Sequence, residues 1–183
     1  MTSVMTMPWG RPLTREDLVD VPDDGHRYEL IDGLLLVSPA PRVRHQDVVF
    51  ALATLIKSSL PQELKMVLAP VDVVLGADTV VQPDLVIARR DAFTELDLPD
   101  APALAVEVLS PSTRRVDLML KRDRYAAAGV AAYWIVDPDE PSVLLLELSN
   151  DAYVEVGSAK GEEMVVAPAP YSIRICPSEL LDS

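Results

Sequence analysis

A single cysteine, Cys176, in 183 residues excludes an internal disulfide framework and a thiolate zinc cage, and fits a reducing compartment such as the cytoplasm. Seven glycines, spread singly, leave no Walker or dinucleotide loop to cradle phosphates, and no Gly-x-Ser-x-Gly elbow presents a serine nucleophile. The only histidines are His26 and His45, and neither has an evident link to Ser110 or Ser112. No apolar run approaches the roughly 18 residues of a membrane span, and the N-terminal MTSVMTMPWGRPLTRED lacks a basic start with a long apolar core. The expectation is a soluble, unprocessed, cytoplasmic protein. Net basic charge is missing too: −13 with a sequence pI near 4.4 argues against broad electrostatic binding of nucleic acid. The exception is local. Arg114, Arg115, Lys121, Arg122 and Arg124 are five of the sixteen Lys and Arg within eleven residues, a pattern that by itself reads as a solvated helix face.

What is present suits one domain across residues 1–183. The chain is 49% hydrophobic and 25% charged, and its length suffices to bury roughly 70% of the unfolded surface. Thr14 and Asp17 predict a capped short helix over 15–20. "HRYELIDGLLLVSP" predicts a hairpin around Asp32-Gly33, a dipeptide that tolerates positive φ. Apolar residues at 48, 49, 52, 55 and 56 mark one face of a helix of about five turns ending before Pro61. "KMVLAPVDVVL" and "TVVQPDLVIAR" read as two strands split by a turn at Gly76 and Asp78. "ALAVEVLS" is continuously apolar and predicts a central strand covered on both faces. A helix capped by Ser110, Ser112 or Thr113 then runs to Gly129, followed by the strand "AAYWIVD". "SVLLLEL", "AYVEV" and "MVVAPA" read as antiparallel strands, and "PSELL" as a final turn. The class is α/β, with a mixed sheet and few helices.

Two carboxylates interrupt the apolar strands. Glu107 lies within "LAVEVL" and Asp84 within "VVQPDLVIA". Alternate residues share a strand face, so Glu107 points with Leu109, and Asp84 with Gln82 and Val86. On neighbouring strands the two acids can converge, and hard oxygen ligands of that kind bind magnesium or manganese. Pro83 has no amide donor and makes an irregularity at which Asp84 can leave the ladder. Read singly, Asp84 could equally be a turn acid and Glu107 a buried acid paired with an arginine. At 100° per residue Asp117, Lys121, Arg124 and Tyr125 share one side of the following helix, and Val116, Met119, Leu120, Ala126 and Ala127 the other. Lys121 could reach the site, or could form only an i,i+4 pair with Asp117. Tyr125, Tyr133 and Trp134 sit in apolar context and read as packing residues.

"YELIDGLLLVSPAP", "RHQDVV", "VQPDLVIA", "AVEVLSPST" and "DLMLKRDRYAAAGVAAYWIVDP", in this order over roughly residues 14–150, resemble the Uma-two family, bacterial proteins assigned to endonucleases within the PD-(D/E)XK restriction-endonuclease-like superfamily. The resemblance implies a mixed four-stranded core flanked by helices, a magnesium site on Asp84 and Glu107, and a homodimer. In the superfamily a lysine lies two residues after the second acid, where this chain has Leu109; the family is thought to supply it from the next helix, at Lys121. Glu29 in "YELIDG" and His45 in "RHQD" match recurring family positions, and Glu29, His45 or Gln46 could complete the metal shell.

The resulting expectation is a Mg2+-dependent endonuclease acting on DNA, Mn2+ being an alternative ion. Asp84 and Glu107 would hold metal, Lys121 would act on water or phosphate, and Arg114, Arg115, Arg122 and Arg124 would touch the nucleic-acid backbone. The competing expectation is a nuclease-fold module without turnover that binds nucleic acid or a protein.

Overall fold

In the computed structural model, which describes residues 10–181, the Asp32-Gly33 turn takes φ of 53° and 75°. It joins β1 (Arg27–Ile31) to β2 (Leu34–Ser38) in the expected antiparallel hairpin. Upstream, Arg15–Asp20 is a 3-10 turn whose Asp17 carboxylate accepts the Thr14 backbone N–H at 2.8 Å. Part of the N-terminal stretch read as lacking a leader, residues 1–9, lies outside the described residues. A Cβ on Gly33 would stand 2.5 Å from the Pro12 Cβ, whereas one on Gly25, also at positive φ, would meet nothing. Gly33→Ala is therefore expected to lose about 1–3 kcal/mol, or roughly 3–10 °C of midpoint, and Gly25→Ala clearly less. Equal losses in thermal unfolding would mean that the Pro12 contact relaxes freely.

Helix α1 (Val43–Lys57) buries Val48, Leu52 and Ile56 of the expected stripe together with Ala53, while Val49 and Leu55 are partly buried against the same cluster. The next two β-branched runs depart from expectation, because each divides into two strands in different sheets. The first gives β3 (Leu64–Leu68) and β4 (Asp72–Gly76), broken around Pro70; the second gives β5 (Thr79–Val81) and β6 (Leu85–Arg89), broken around Pro83. Each proline removes a ladder donor where the chain changes partners. Ala69 N–H donates to the Asp84 carbonyl at 3.1 Å and ties the two crossings together.

After β7 (Asp97–Leu98) comes the fully buried β8 (Leu104–Val108). Ser110 Oγ accepts the Thr113 N–H, and the helix that follows contains a π segment (Val116–Lys121) continued by α2 (Arg122–Ala128), which stops at left-handed Gly129. Strand β9 (Ala132–Asp137) runs parallel to β8 and completes the expected strand, helix, strand unit. Then follow β10 (Ser142–Ser149), β11 (Ala152–Lys160), β12 (Val165–Ala167) and β13 (Ile173–Ile175).

The strands form a mixed six-stranded sheet, β11-β10-β9-β8-β6-β3, a five-stranded sheet, β2-β1-β5-β4-β7, and the pair β12-β13. One face of the larger sheet, with Leu104, Val106 and Trp134, packs on α1 and the C-terminal strands. The opposite face, with Ala105, Leu109 and Tyr133, packs on residues of the smaller sheet and of the π/α2 helix. Strand alternation puts Glu107 on this second face, between layers.

The π/α2 helix corrects the expected amphipathicity. Met119 is 64% exposed, whereas Asp117, Lys121 and Tyr125 are buried. The polar side turns inward because Glu107 requires partners in the interior, and the wider π turn changes the direction of neighbouring side chains relative to a 100° wheel. Among the described residues no helix is long and apolar enough to cross a membrane.

Candidate active site

Asp84 and Glu107 come together because β6 and β8 pair antiparallel with Leu85 opposite Val106; one further step along that register sets Asp84 across from Glu107. The interruption at Pro83 releases Asp84 from the ladder, and its Oδ2 accepts the Val108 N–H at 2.8 Å. Its other contacts are the Arg27 guanidinium at 2.9 Å and His45 Nε2 at 3.1 Å. Burial alone would raise the Asp84 pKa; the His45 hydrogen bond, the Arg27 charge and the Val108 N–H outweigh it and hold the acid below its ordinary range.

Glu107 belongs to a second, deeper knot. Lys121 Nζ lies 2.7 Å from Glu29 Oε1, 3.0 Å from Glu107 Oε1 and 3.5 Å from Asp117 Oδ1. The Tyr125 hydroxyl donates to Glu107 Oε1 at 2.8 Å, and the Gln82 N–H donates to Glu29 Oε1 at 2.7 Å. Glu107 is pushed well above the usual carboxylate range, first by burial, against the pull of Lys121, and further by the charges of Asp117, Asp84 and Glu29. Asp117 is raised as well, by burial, with Lys121 and the Thr113 hydroxyl opposing. Lys121 is raised because its three carboxylates overcome its burial. Both partners of the Glu107–Lys121 pair thus favour keeping their protons, which follows when one ammonium faces three acids.

A cavity of about 390 Å3 opens onto this junction, with Arg27, Arg42, His45, Asp84, Glu107 and Asp117 in its wall. A second, of about 220 Å3, shares Arg27, His45 and Asp84 and adds Gln46 and Phe50. Among the expected site residues, Asp84, Glu107, Glu29, Lys121 and His45 are joined in neighbouring contacts, and Gln46 lines only the second cavity. Lys121 points at Glu107 rather than to solvent, but is absent from the wall of either cavity.

The four arginines expected to meet nucleic acid lie outside both walls. Arg114 pairs with Asp137 at 2.6 Å, Arg124 pairs with Asp32 at 2.6 Å, and Arg122 reaches toward the Tyr153 carbonyl. Arg115 is exposed. The helix turns its Asp117/Lys121/Tyr125 side to the site, so these cations project elsewhere. Arg27 is a participant that the sequence pattern does not single out, and Asp117 and Tyr125, which share the Lys121 side of the helix as the spacing predicts, are not among the expected site residues. Arg27 shares a strand face with Glu29, the one signal that flags it; Asp117 reads in sequence only as a surface ion-pair partner. Tyr125 is buried as expected, with its hydroxyl on Glu107.

The donor chemistry suits a divalent ion. Four carboxylic side chains (Glu29, Asp84, Glu107, Asp117) stand against two fixed cations (Arg27, Lys121), so acidic oxygens outnumber the cations that face them. Asp117 Oδ1 is buried with no hydrogen-bond partner. No three His, Cys, Asp or Glu side chains among the described residues form a ready cage, and magnesium is commonly held by one or two carboxylates with water in the remaining positions. Asp84 and Glu107 meet that requirement.

The Uma2 family model, described as "Putative restriction endonuclease", matches residues 15–175, extending beyond the motif blocks into β13. A crystal structure described as "a putative nuclease belonging to DUF820 from Anabaena variabilis ATCC 29413" superposes with a TM-score of 0.70 at 19% identity, covering 93% of this chain and 98% of that one. At that identity the likeness speaks for the fold. No curated protein matches the chain.

Proposed function

Since the chain belongs to the Uma2 family of restriction-endonuclease-like proteins, we propose that it is a divalent-metal-dependent endonuclease hydrolysing DNA phosphodiester bonds. The observation that carries this reading is the meeting of Asp84 and Glu107 from adjacent strands at one cavity, within a buried network in which four acids face two fixed cations. Asp84 and Glu107 would hold Mg2+, with Mn2+ as a substitute. A bound ion supplies phosphoryl polarisation and a water of lowered pKa. Arg27 and His45 fix Asp84, while Lys121 and Tyr125 fix Glu107, so that both carboxylates are oriented before substrate arrives. Glu29 shares Lys121 and sets its position. Cutting both strands of a duplex calls for two such sites, hence a homodimer.

The test is nicking and linearisation of supercoiled plasmid by the purified chain. Cleavage is expected with Mg2+ or Mn2+ and is expected to disappear on adding EDTA. One observation favours a second reading: the superfamily's lysine position is Leu109, packed in the core at 4% exposure, as in a module that retained the fold without turnover. DNA binding without cleavage under every divalent ion would select that reading.

A further inference from the structure

Lys121 has three N–H donors, and three protein carboxylates surround its ammonium at 2.7, 3.0 and 3.5 Å. It is 1% exposed. Glu107 and Asp117 belong to the wall of the larger cavity, and Lys121 does not. An ammonium so buried, paired with protein carboxylates and outside the cavity wall, is not placed to meet a ligand in the cavity. Arg27 is placed in the opposite way. Its guanidinium has five N–H donors, of which one bonds Asp84 and one the Gln82 carbonyl. The side chain retains 19% exposure and, like Asp84, lines both cavities.

We propose that Arg27 is the cation that contacts the substrate phosphate beside Asp84, and that Lys121 is a positioning residue holding Glu107. The inference rests on the nuclease reading and assigns the phosphate contact within it. Guanidinium suits this role because its planar fork can keep one edge on the carboxylate and offer other donors to phosphate oxygens. The position vacated by the strand lysine at Leu109 is thereby served from β1, on the smaller sheet, instead of from the helix.

A phosphate contact changes the salt dependence of DNA binding, whereas a purely structural role does not. Each phosphate neutralised contributes about 0.9 to the slope of log affinity against log salt on duplex DNA. The experiment measures anisotropy of a fluorescein-labelled duplex, with Ca2+ replacing Mg2+ to suppress cleavage, over a KCl series. Arg27→Gln is expected to reduce the slope by about 0.9, and Arg27→Lys to retain it. Lys121→Gln and Arg124→Gln, the latter removing a charge held by Asp32 outside the cavities, are expected to leave it unchanged. If Arg27→Gln alone does not fold, Arg27→Gln in an Asp84→Asn background, compared with Asp84→Asn, removes both charges of the pair and should show the same decrement. An unchanged slope without Arg27, or a slope that falls on losing Lys121, overturns the assignment while leaving the nuclease reading intact. Failure of the wild-type chain to bind duplex at all overturns both.

Discussion

Replacing Lys121 with methionine is expected to destabilise the fold by about 3–5 kcal/mol, the usual cost of leaving buried charge without its partner, or roughly 10 °C of midpoint for a chain of this length. The substitution conserves most of the side chain's volume, so the loss is electrostatic rather than a cavity effect. It strands Glu29, Glu107 and Asp117, all within reach of the same ammonium, in a layer where burial already disfavours the ionised forms of Glu107 and Asp117.

The sign of the pH dependence follows from Glu107. Its folded pKa lies above the unfolded value of about 4.3, so the native state keeps a proton that the unfolded state has released. Stability contributed by that proton is present at low pH and declines as pH rises through the window between the two values. Removing Lys121 takes away the attraction opposing burial, moves the folded value higher and widens the window. The deficit of Lys121→Met relative to wild type should therefore grow from acid to neutral pH. At alkaline pH it should narrow again, because the wild-type lysine's own contribution is complete below its unfolded value of about 10.4 and is lost as pH rises through its raised folded one. Urea unfolding across pH checks both limbs. A deficit constant with pH would show that the three acids do not absorb the excess charge, and Glu107→Gln in the Lys121→Met background should recover part of it.

Much of this site is legible in the sequence because carboxylates in apolar strands are costly and therefore informative. Glu107 and Asp84 stand out for that reason, and Pro83 marks where the second acid can leave its ladder. The hairpin is equally legible, since few dipeptides accept two successive positive φ values as Asp32-Gly33 does. The division of "KMVLAPVDVVL" and "TVVQPDLVIAR" between two sheets is not. Val67 and Val73 have the same local preference for extended backbone whichever sheet they enter, and the choice is made by long-range pairing. The helix misleads for a related reason. A hydrophobic wheel assumes that the interior is apolar, but here the layer beneath the helix already contains Glu29 and Glu107, and Lys121 and Tyr125 turn in to meet them while Met119 faces water. Arg27 carries no local signal, because an arginine at a strand start is usually a solvated end. Its partner, Asp84, is 57 residues away.

Asp84 and Glu107 are chemically alike but held in opposite electrostatic states, one favoured as the anion and the other driven toward its acid form. That asymmetry sets what a divalent ion would have to do: Asp84 is already ionised and oriented, whereas Glu107 must surrender a proton to coordinate. Metal affinity should accordingly rise with pH through the raised Glu107 value, with Asp84 contributing no dependence above its ordinary range near 3.9.

The same asymmetry makes Asp84→Asn the most damaging substitution for activity. The amide is isosteric and can still accept the Val108 N–H, so the local backbone has reason to persist. The lost charge, however, is the one that is ionised without any proton release, and its removal leaves Arg27 beside a neutral group. Because even outer-shell partners of a metal are worth 10–100-fold in affinity, Mn2+ affinity by calorimetry is expected to drop at least about 100-fold. Plasmid cleavage should fall about 10³-fold or more, as expected when several kcal/mol of transition-state charge stabilisation are removed. Glu29→Gln provides the contrast: it loosens Lys121 but leaves both Asp84 and Glu107 in place, so its main effect should be on thermal stability, with a smaller loss of cleavage. Wild-type Mn2+ affinity in folded Asp84→Asn would remove Asp84 from the metal site. Equal loss of cleavage in folded Glu29→Gln would move the centre of the chemistry to the buried knot around Lys121.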